Sequence, residues 1–313
     1  MKVTMTTNDP TAPENPIPAG FRAGYVAVVG LPNAGKSTLL NQLLQFKISI
    51  VTRRPQTTRK NLLGILNGED YQIVFIDTPG ILKPRYNLQR FMMKQVSAAI
   101  ADADVLVYLI DVKDHRQRPV DLQRQLAEAQ GKPVILLLNK IDLVPDKRNL
   151  LPLIGDYHRV HPFKAIIPVS AEKNDGLDQL LQVLTGCLPE SPPYYPTDYL
   201  SDQQERFFVA EIIREKIFTH FGEEIPYACH VEIEAFEEKE NGKDYIRAIV
   251  VVEKDTQKSI LIGKNGEALK KVGQVARGDI EVFLGRKVFL ELFVKVRRDW
   301  RRKDGMLKDM GYS

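Results

Sequence analysis

The stretch GLPNAGKS at residues 30–37 constrains the fold more than any other part of this chain of 313 residues. It follows the apolar run YVAVV and precedes STLLNQLL, so we expect a buried strand, a glycine-rich turn and a helix. In such a turn the backbone N–H groups and the helix N-terminus surround phosphate oxygens. Lys36 can reach the β- and γ-phosphates, and the Ser37 hydroxyl can bind Mg²⁺. The stretch predicts a phosphate-binding loop but does not specify the nucleotide.

Strands and helices alternate on both sides of this loop, up to about residue 188. The apolar runs YQIVFID, DVLVYLID, PVILLLNK and AIIPVSA suit strands that are covered on both faces. Helical patterns lie between them at residues 37–45, 90–100 and 120–130. This alternation predicts an α/β domain with a mostly parallel sheet.

The run FIDTPGI provides a second element of the site. Asp77 ends an apolar strand, where its carboxylate can hold Mg²⁺ through water. Gly80 can offer its N–H to a γ-phosphate and can change conformation when that phosphate leaves. D-x-x-G alone is a weak pattern that also occurs in surface turns, but its position after a strand and a phosphate-binding loop favours a nucleotide switch.

The run LLLNKID identifies the base. Asp142 can accept hydrogen bonds from the N1–H and the 2-amino group of guanine, and adenine has neither donor. A desolvated carboxylate of this kind discriminates by roughly 10⁴. Lys140 can lie along the ring, Asn139 can join the loops, and the Ala171 N–H in VSAEK can meet guanine O6. The predicted nucleotide-binding residues are Gly30, Leu31, Pro32, Asn33, Ala34, Gly35, Lys36, Ser37, Thr38, Asp77, Thr78, Pro79, Gly80, Asn139, Lys140, Asp142, Ser170 and Ala171.

These four elements resemble the GTPase superfamily over about residues 25–188. The resemblance implies that RRPQTTRKNLLG supplies a threonine for Mg²⁺, with Thr58 as the ligand and Thr57 as the runner-up. It thus implies Ser37, Thr58 and Asp77 at the metal and Lys36, Thr58, Gly80 and Asn33 in catalysis. Ile81 stands where Ras-like enzymes have a water-positioning glutamine, so we expect slow hydrolysis. The pattern G-x-P-N-x-G-K-S also resembles GTPases whose asparagine, here Asn33, helps hold K⁺ against the phosphates.

A proline-rich stretch follows, and the pattern then changes. Four prolines in CLPESPPYYPTDYL, at 189, 192, 193 and 196, favour an extended linker. Beyond it the order of predicted elements is α-β-β-α-α-β, with Ser201 or Asp202 as the first N-cap and a hairpin turn at Asn241–Gly242. We therefore expect a disordered extension at 1–21, a GTPase domain at 22–188, a linker at 189–200 and a second domain at 201–313.

Gly263-Lys264-Asn265-Gly266 lies between two helical patterns of the second domain. A nucleic-acid backbone can approach a turn with two glycines, and the next helix N-terminus favours phosphate. The alternative for an isolated G-x-x-G is a tight turn with a solvated lysine. The element order and a net charge of +7 over 254–313, against −8 over 198–253, favour the nucleic-acid interpretation. This part resembles a type II KH domain, which is α+β and clamps about four nucleotides.

The basic tail KVRRDWRRK surrounds Trp300, which can stack on a base or pack on its own domain. The predicted RNA-binding residues are Ile262, Gly263, Lys264, Asn265, Gly266, Lys270, Lys271, Arg297, Arg298 and Trp300. Arg286 and Lys287 are further basic candidates.

As a whole, the chain from about residue 22 resembles the Era family of bacterial ribosome-assembly GTPases. The resemblance implies GTP and GDP as ligands, Mg²⁺ as cofactor, and binding to the 3′ end of small-subunit (16S) ribosomal RNA and to the immature small subunit. It also implies peripheral association with the inner face of the cell membrane. We expect a monomer without a DNA partner. The first twenty residues carry no export signal and no apolar run reaches membrane-spanning length, so we expect a cytoplasmic protein. Two alternatives are a constitutive RNA-binding assembly protein with a structural nucleotide pocket and a membrane-associated GTPase with a lipid-binding tail.

Overall fold

The structure is a computed structural model that describes residues 18–52, 54–114, 126–129, 131–240 and 242–312. Three sequence predictions fall wholly or partly outside these ranges. They are the N-terminal extension up to residue 17, most of the helix at 120–130, and Asn241 of the hairpin turn. Within the helix prediction, the described part is a short 3₁₀ turn at Ala127–Ala129.

The first domain is built on a six-stranded sheet in the order β2-β3-β1-β4-β5-β6. The strands are β1 (Arg22–Gly30), β2 (Leu62–Asn67), β3 (Tyr71–Asp77), β4 (Val105–Asp111), β5 (Val134–Asn139) and β6 (Ala165–Val169). Only the pairing of β2 with β3 is antiparallel among these neighbours. The predicted α/β fold with a mostly parallel sheet is confirmed.

Helices cover both faces of this sheet, which explains the uninterrupted apolar runs. The helices are α1 (Lys36–Leu44), α2 (Asn87–Asp102), α3 (Leu150–His158) and α4 (Leu177–Cys187). Leu39 of α1 and Leu180 of α4 pack in one core, and Val96 of α2 and Tyr157 of α3 pack in the other. Since both faces are dry, the carboxyl ends of the parallel strands are the places where polar side chains can gather.

The second domain has the predicted order, with two extra short helices among its described residues. Its elements are α5 (Glu205–His220), α6 (Ile225–Ala228), β7 (His230–Glu237), β8 (Asp244–Val252), α7 (Asp255–Ile262), α8 (Glu267–Leu284), β9 (Val288–Val296) and α9 (Asp304–Asp309). The sheet order is β7-β8-β9, and β8 pairs antiparallel with β7 and parallel with β9. Ile213 of α5 and Val272 and Ile280 of α8 pack against Ile246 and Val250 on one face of this sheet.

The proline-rich segment lies along the first domain. Gln72 of β3 exchanges hydrogen bonds with the backbone of Tyr194 and Tyr195, and the Leu200 carbonyl accepts from the Ile65 amide of β2. Ser201 donates to the Leu63 carbonyl at 2.6 Å, while helix α5 begins at Glu205 after Gln204. The prediction that Ser201 or Asp202 caps this helix is therefore wrong, because Ser201 serves the sheet edge instead.

The two domains share an apolar core. Leu88 and Met92 of α2 pack with Ile249 and Val251, which lie on the face of β8 opposite to the second domain's own core. The C-terminal residues Trp300, Leu307, Met310 and Tyr312 complete this cluster. Among the described residues, no helix combines the length and the apolar character that crossing a bilayer requires.

Candidate nucleotide-binding site and nucleic-acid interface

The loop at 30–37 is shaped by two glycines that no other residue could replace. Gly30 has φ 152° and a Cβ there would lie 2.3 Å from the Leu109 carbonyl oxygen. Gly35 has φ 103° and a Cβ there would lie 2.2 Å from Asn139 Nδ2. The loop therefore approaches β4 and β5 closely and delivers the chain into the N-terminus of α1, where N–H groups are available for an anion.

Lys36 is buried inside this loop. Its Nζ donates to the carbonyl oxygens of Gly30 at 3.1 Å and Leu31 at 3.0 Å. Burial lowers the pKa of Lys36 to about 8, although the charge of nearby Asp77 acts in the opposite direction. Phosphate oxygens would compensate this ammonium far better than two carbonyl groups do, since a buried charge is stabilised by a paired counter-charge.

Hydroxyl groups and one carboxylate meet beside the loop. Asp77 Oδ2 accepts hydrogen bonds from Ser37 Oγ at 2.9 Å, Ser49 Oγ at 2.9 Å and Thr58 Oγ1 at 3.3 Å. Burial raises the pKa of Asp77, and the Lys36 charge and these hydroxyl groups oppose the change. Asp77 Oδ1 is buried without a hydrogen-bond partner. An orphaned carboxylate oxygen beside two hydroxyl oxygens fits the oxygen-rich shell of a hydrated Mg²⁺.

The structure distinguishes Thr58 from Thr57. Thr58 Oγ1 lies 3.2 Å from Ser37 Oγ and joins the Asp77 group, whereas the Thr57 carbonyl oxygen accepts from Arg214 of α5. The predicted metal residues Ser37, Thr58 and Asp77 are thus brought together, and Thr57 is turned toward the second domain. Ser49 joins them unpredicted, because its segment after α1 has no motif that would have identified it.

Asn139 joins two loops, as its position at the end of β5 suggested. Its Nδ2 donates to the Ala34 carbonyl at 2.8 Å, and its Oδ1 accepts from the Ala171 N–H at 3.0 Å. Ser170 Oγ donates to Asp142 Oδ1 at 2.6 Å, which holds that carboxylate near the same loop. The loops that contain Ala34, Asn139 and Ala171 are thereby fixed relative to one another.

Lys140 has a partner that sequence reasoning missed. Its Nζ lies 2.6 Å from Oδ2 of Asp111, the last residue of β4. The signal was present, because Asp111 ends an apolar strand as Asp77 and Asn139 do. Asp111 fixes the Lys140 side chain, whose backbone has a left-handed φ of 68°.

The loop after Asp77 crosses the phosphate-binding loop. A Cβ on Gly80 would lie 2.7 Å from the Cα of Pro32, so only glycine allows this approach. The Ile81 N–H donates to the Gly30 carbonyl at 3.0 Å, and the Ile81 side chain packs against the core. Thr78 Oγ1 donates to the Val28 carbonyl at 2.7 Å, which ties the loop to β1. A polar side chain that could orient water is therefore missing at position 81.

A cavity of about 410 Å³ lies over these loops. Predicted residues that line it are Pro32, Asn33, Gly35, Lys36, Ser37, Thr38, Thr58, Thr78, Gly80 and Lys140. Predicted residues that lie outside its lining are Gly30, Leu31, Ala34, Asp77, Pro79, Asn139, Asp142, Ser170 and Ala171. Thr57, the runner-up for Mg²⁺, also lines the cavity, and the lining residues that were not predicted are Ile50, Val51, Thr52, Gln56 and Glu172. The cavity thus corresponds to the phosphate-binding half of the expected site.

The glycine turn of the second domain has the expected geometry. Gly263 has φ 73° and a Cβ there would lie 2.7 Å from the Ala268 Cβ, while Gly266 has φ 79° and open space around it. Lys264 and Asn265 between them are exposed. The turn ends at the N-terminus of α8, which is 18 residues long. An anionic backbone can therefore approach the Gly266 side of the turn without meeting a side chain.

A groove of about 330 Å³ runs from this turn between α8 and β9. Lys270 and Arg277 bring positive charge to it, and Leu269, Leu290 and Leu292 give it an apolar floor. Lys271 and Ile262 do not line it; Lys271 is exposed and Ile262 packs against the domain core. Such a groove combines cationic rims for phosphates with apolar surface for bases.

Two family models match this chain, and they cover its two domains. The model described as "50S ribosome-binding GTPase" matches residues 25–140, and the KH domain model matches residues 224–301. GTPase Era from Geobacter sp. (strain M21) is 47% identical over 293 residues, which are 94% of this chain and 98% of that relative. GTPase Era from Clostridium tetani is 45% identical over 294 residues, which are 93% of this chain and 99% of that relative.

The chain belongs to the Era family of GTPases. Two solved structures of Era proteins are similar over 94% of the chain, each with a TM-score of 0.89 and 39% identity. One is Era in complex with MgGDPNP and nucleotides 1506–1542 of 16S ribosomal RNA, and 99% of it is covered. The other is a variant of Aquifex aeolicus Era bound to GDP.AlF4⁻, and all of it is covered (100%). The predicted GTPase domain and KH domain are confirmed.

Four basic residues of the tail are paired with carboxylates of strand β7 and of residues 253–255. Arg297 lies 2.6 Å from Glu232, Lys295 lies 3.5 Å from Glu234, and Arg301 pairs with Glu253. Arg298 is exposed beside Asp255 at 3.5 Å. Arg286 pairs with Glu205 and Asp244, and Lys287 pairs with Glu281. The opposite charges of the two segments therefore cancel within the fold, which net charge along the sequence could not show.

The prediction that Trp300 stacks on a base is wrong for this Era chain. Trp300 is 0% exposed and its Nε1 donates to the Ala228 carbonyl at 2.9 Å. The guanidinium of Arg59, from the GTPase domain, lies 5.8 Å from the ring centroid. Trp300 is a residue of the interdomain core, because the tail folds back onto β8 and α2 instead of extending from the sheet.

The switch segment, which we define as residues 54–60, is bound by the KH domain of this Era chain. Arg59 is 5% exposed and donates to the carbonyl oxygens of Pro226, Tyr227 and Cys229 at 3.2, 3.1 and 2.7 Å. Arg214 Nη2 donates to the Thr57 carbonyl at 2.5 Å, and Arg54 donates to the Phe221 carbonyl. Thr58, which contacts Ser37 and Asp77, therefore lies in a segment in which other residues contact the KH domain.

Proposed function

We propose that this chain is a GTP-binding and slowly GTP-hydrolysing switch. It binds single-stranded RNA at the 3′ end of 16S ribosomal RNA and acts in assembly of the small ribosomal subunit. Guanine nucleotide and Mg²⁺ are its ligands, with Asp142 toward the base and with Ser37, Thr58 and Asp77 toward the metal. The membership in the Era family and the RNA complex of a relative support this proposal.

One observation supports the switch: the switch segment contacts both the nucleotide site and the KH domain. Thr58 Oγ1 reaches Ser37 and Asp77 on one side, and Thr57 and Arg59 are hydrogen-bonded to the KH domain on the other. A γ-phosphate and Mg²⁺ that order Thr58 would therefore change the free energy of the interdomain contact. Binding of the γ-phosphate and Mg²⁺ is therefore linked to formation of the interdomain contact, and each changes the free energy of the other by the same amount.

RNA contact is assigned to the turn and the groove. Gly263, Lys264, Asn265 and Gly266 clamp the backbone, and Lys270 and Arg277 neutralise phosphates along the groove. Lys271 and Arg298 add exposed positive charge to the surface of this domain, whereas Ile262 and Arg297 act through the fold around them. We place the protein in the cytoplasm. Peripheral membrane association is tested separately, by flotation with anionic vesicles without RNA.

The decisive experiment measures RNA affinity in two nucleotide states. An RNA equivalent to nucleotides 1506–1542 of 16S ribosomal RNA is titrated at fixed salt with GDP-bound protein and with protein bound to a non-hydrolysable GTP analogue. Salt is fixed because phosphate contacts make affinity steeply salt-dependent. We expect affinities that differ by about fivefold or more, the usual size of an allosteric coupling. Equal affinities would refute the switch.

Arg59→Lys tests the route of the coupling. Lysine keeps the charge but loses the planar donor fork that serves three carbonyl groups, so the difference between the two states should shrink. Arg90→Lys is the matched control, since Arg90 is exposed on α2 and contacts only Asn87 of its own helix among the described residues. An unchanged difference in Arg59→Lys would place the coupling elsewhere.

Ile81 favours a second candidate function, a constitutive RNA-binding assembly protein whose nucleotide pocket is structural. Its apolar side chain packs against the core where Ras-like enzymes orient water. GTP turnover with and without the RNA separates the two functions. Turnover that RNA accelerates supports the switch, and the absence of turnover in both cases supports the structural pocket.

A further inference from the structure

A second cavity lies between the two domains, behind the switch segment as seen from the nucleotide cavity. Its volume is about 380 Å³. Ile50, Thr57 and Thr58 line both cavities, so they form the wall between them. The remaining lining comes from Ser49, Arg59, Lys60 and Leu62 of the GTPase domain, and from α5, β7 and the C-terminal residues Met310 and Tyr312. The cavity exists only while both domains hold the present arrangement.

The lining of this interdomain cavity carries an excess of positive charge. Its cationic side chains are Arg59, Lys60, Arg206 and Arg214, and Glu211 is the one carboxylate among the described lining residues. Glu211 is already bound by Arg214, through Nε at 2.8 Å and through Nη2. Arg59 donates to neutral carbonyl groups. Among the described lining residues, four positive side chains thus face one negative side chain, and the cavity has a net positive charge.

Two cationic side chains of the cavity are incompletely compensated. Arg214 is buried, with 3% of its side chain exposed, and its Nη1 has neither a hydrogen-bond partner nor surface that is open to the cavity. Lys60 is half-buried, and its Nζ lies 4.8 Å from the ring centroid of Tyr312 and beside no carboxylate in the part of the chain that the structure describes. Burial lowers the pKa of Lys60, with Glu211 opposing the change. Removing charged donors from water without a partner is unfavourable.

His230 lies in the same positively charged cavity. Its Nδ1 lies 3.0 Å from the Tyr312 hydroxyl, and it lines the cavity. Burial lowers the pKa of His230 well below its usual value, and the charges of Arg59, Lys60, Arg214 and Arg297 lower it further. Several elements thus direct positive charge at one enclosed space.

We propose that this interdomain cavity binds a phosphate group, at a site separate from the phosphate-binding loop. The Lys60 ammonium is the donor, and the negative charge compensates the guanidinium groups of Arg59, Arg206 and Arg214 around it. A liquid water molecule occupies about 30 Å³, so the cavity has room for an inorganic phosphate with several waters, or for the terminal phosphate of an RNA. Guanidinium and ammonium groups together favour phosphate over neutral ligands.

Occupation of this site is linked to the nucleotide state. Arg214 also holds the Thr57 carbonyl, and Thr57 and Thr58 form the wall toward the nucleotide cavity. The bound phosphate stabilises the present domain arrangement, because both domains contribute positive charge to the lining. This site does not depend on the proposed RNA function, since its wall and donors are independent of the groove beside α8.

The test uses the full chain saturated with GDP and Mg²⁺, so that the phosphate-binding loop is occupied. Inorganic phosphate is titrated at constant ionic strength, with chloride as the balancing anion, while the unfolding temperature and the binding heat are followed. We expect saturable stabilisation. Lys60→Gln should weaken phosphate binding about tenfold, because a charge-assisted hydrogen bond is lost. Lys94→Gln, which removes the same charge from an exposed site on α2, should change it less than about twofold.

An NMR titration of the His230 ring gives an independent readout. Phosphate should raise the pKa of His230 in the wild type, and about tenfold more phosphate should be needed for the same change in Lys60→Gln. If Lys60→Gln does not fold, Arg206→Gln replaces it, since its Nη2 has only a weak hydrogen bond of 3.4 Å to the Ile233 carbonyl. A response without saturation, equal responses of the Lys60 and Lys94 variants, or an unchanged His230 pKa would each overturn the site.

A further arm distinguishes the sources of the phosphate group. A short RNA with a 5′-phosphate and the same RNA without it are compared as competitors of inorganic phosphate. Competition by the phosphorylated RNA alone assigns the site to an RNA end. Competition by neither RNA, with saturable binding of inorganic phosphate, assigns it to a small phosphate.

Discussion

The hydroxyl oxygens of Ser37 and Thr58 lie 3.2 Å apart, although the two residues are 21 positions apart in the sequence. Both hydroxyl groups donate to Asp77 Oδ2, at 2.9 and 3.3 Å. This arrangement brings the switch segment onto the phosphate-binding loop through one carboxylate. The second oxygen of this carboxylate, Asp77 Oδ1, is buried without a hydrogen-bond partner.

Thr58→Ala should weaken Mg²⁺-dependent binding of a GTP analogue by about tenfold or more, a usual effect of losing a group that orients a metal. Thr57→Ala is the matched control and should change it less than about twofold, because Thr57 contributes its carbonyl group to Arg214. Titration of Mg²⁺ against analogue-bound protein measures both. Equal losses in the two variants would contradict the assignment of Thr58.

Asp142→Asn should reverse the base preference. The side-chain amide can no longer accept from both N1–H and the 2-amino group, so GDP affinity should fall by about a thousandfold. Xanthosine diphosphate, which carries an oxygen in place of the 2-amino group, should bind the variant better than GDP does. Competition against a fluorescent nucleotide measures the order. Ser170→Ala, which frees the Asp142 carboxylate from its hydroxyl partner, should retain the preference for guanine.

Hydrolysis should be faster in K⁺ than in Na⁺ if Asn33 helps to hold a monovalent cation. Asn33 lines the cavity with a left-handed φ of 65°. Asn33→Gly is therefore a better test than Asn33→Ala, because glycine retains this backbone conformation and removes only the side chain. The potassium response should disappear in Asn33→Gly. Equal rates in the two salts, or a retained response in the variant, would end this hypothesis.

Nucleotide affinity should fall as the pH rises through the pKa of Lys36. That pKa is lowered to about 8 in the structure, and bound phosphates raise it because they favour the charged form. Binding therefore takes up a proton above this value, and affinity should fall about tenfold from about pH 7 to about pH 9. Measuring GDP without Mg²⁺ keeps the metal out of the comparison. Lys36→Arg should give a flatter profile, and a rise in affinity with pH would contradict the prediction.

Trp300→Phe should destabilise the protein without weakening RNA binding. The change leaves the Ala228 carbonyl unpaired in the interdomain core, which costs about 1–3 kcal/mol of the free energy of unfolding. Denaturant unfolding measures the loss, and RNA affinity at fixed salt should stay within about twofold. Lys270→Gln serves as the opposite control, with weaker RNA binding and nearly unchanged stability. Lower RNA affinity without lower stability in Trp300→Phe would restore the stacking role.

Local pattern was enough to predict the parts of the site that lie at strand ends. Asp77, Asn139 and the phosphate-binding loop occupy the carboxyl ends of parallel strands of one sheet, because buried apolar runs determine where those strands stop. The same reasoning identified the glycine turn before α8, since its spacing is local. Each of these elements carries its own turn chemistry, and no distant contact is needed to specify it.

Contacts between distant segments could not be predicted in this way. In the sequence Arg59 is one of several basic residues in a loop. In the structure its guanidinium is buried and donates to three carbonyl groups about 170 positions away. Trp300 looked like an exposed aromatic among arginines because the acidic partners of the tail lie on β7 and beside α7. The burial and the partners of such residues depend on how the domains pack, and neither periodicity nor local charge gives a signal for this packing.

The proline segment has a consequence for handling the GTPase domain by itself. Strand β2 is the edge of its sheet, and the Leu200 carbonyl and Ser201 are hydrogen-bonded to it in place of another strand. A fragment cut at residue 188 would expose this edge to a second copy, and unpaired edges promote aggregation. A fragment that extends through residue 201 keeps its own cover, and should stay monodisperse at concentrations where the shorter one precipitates.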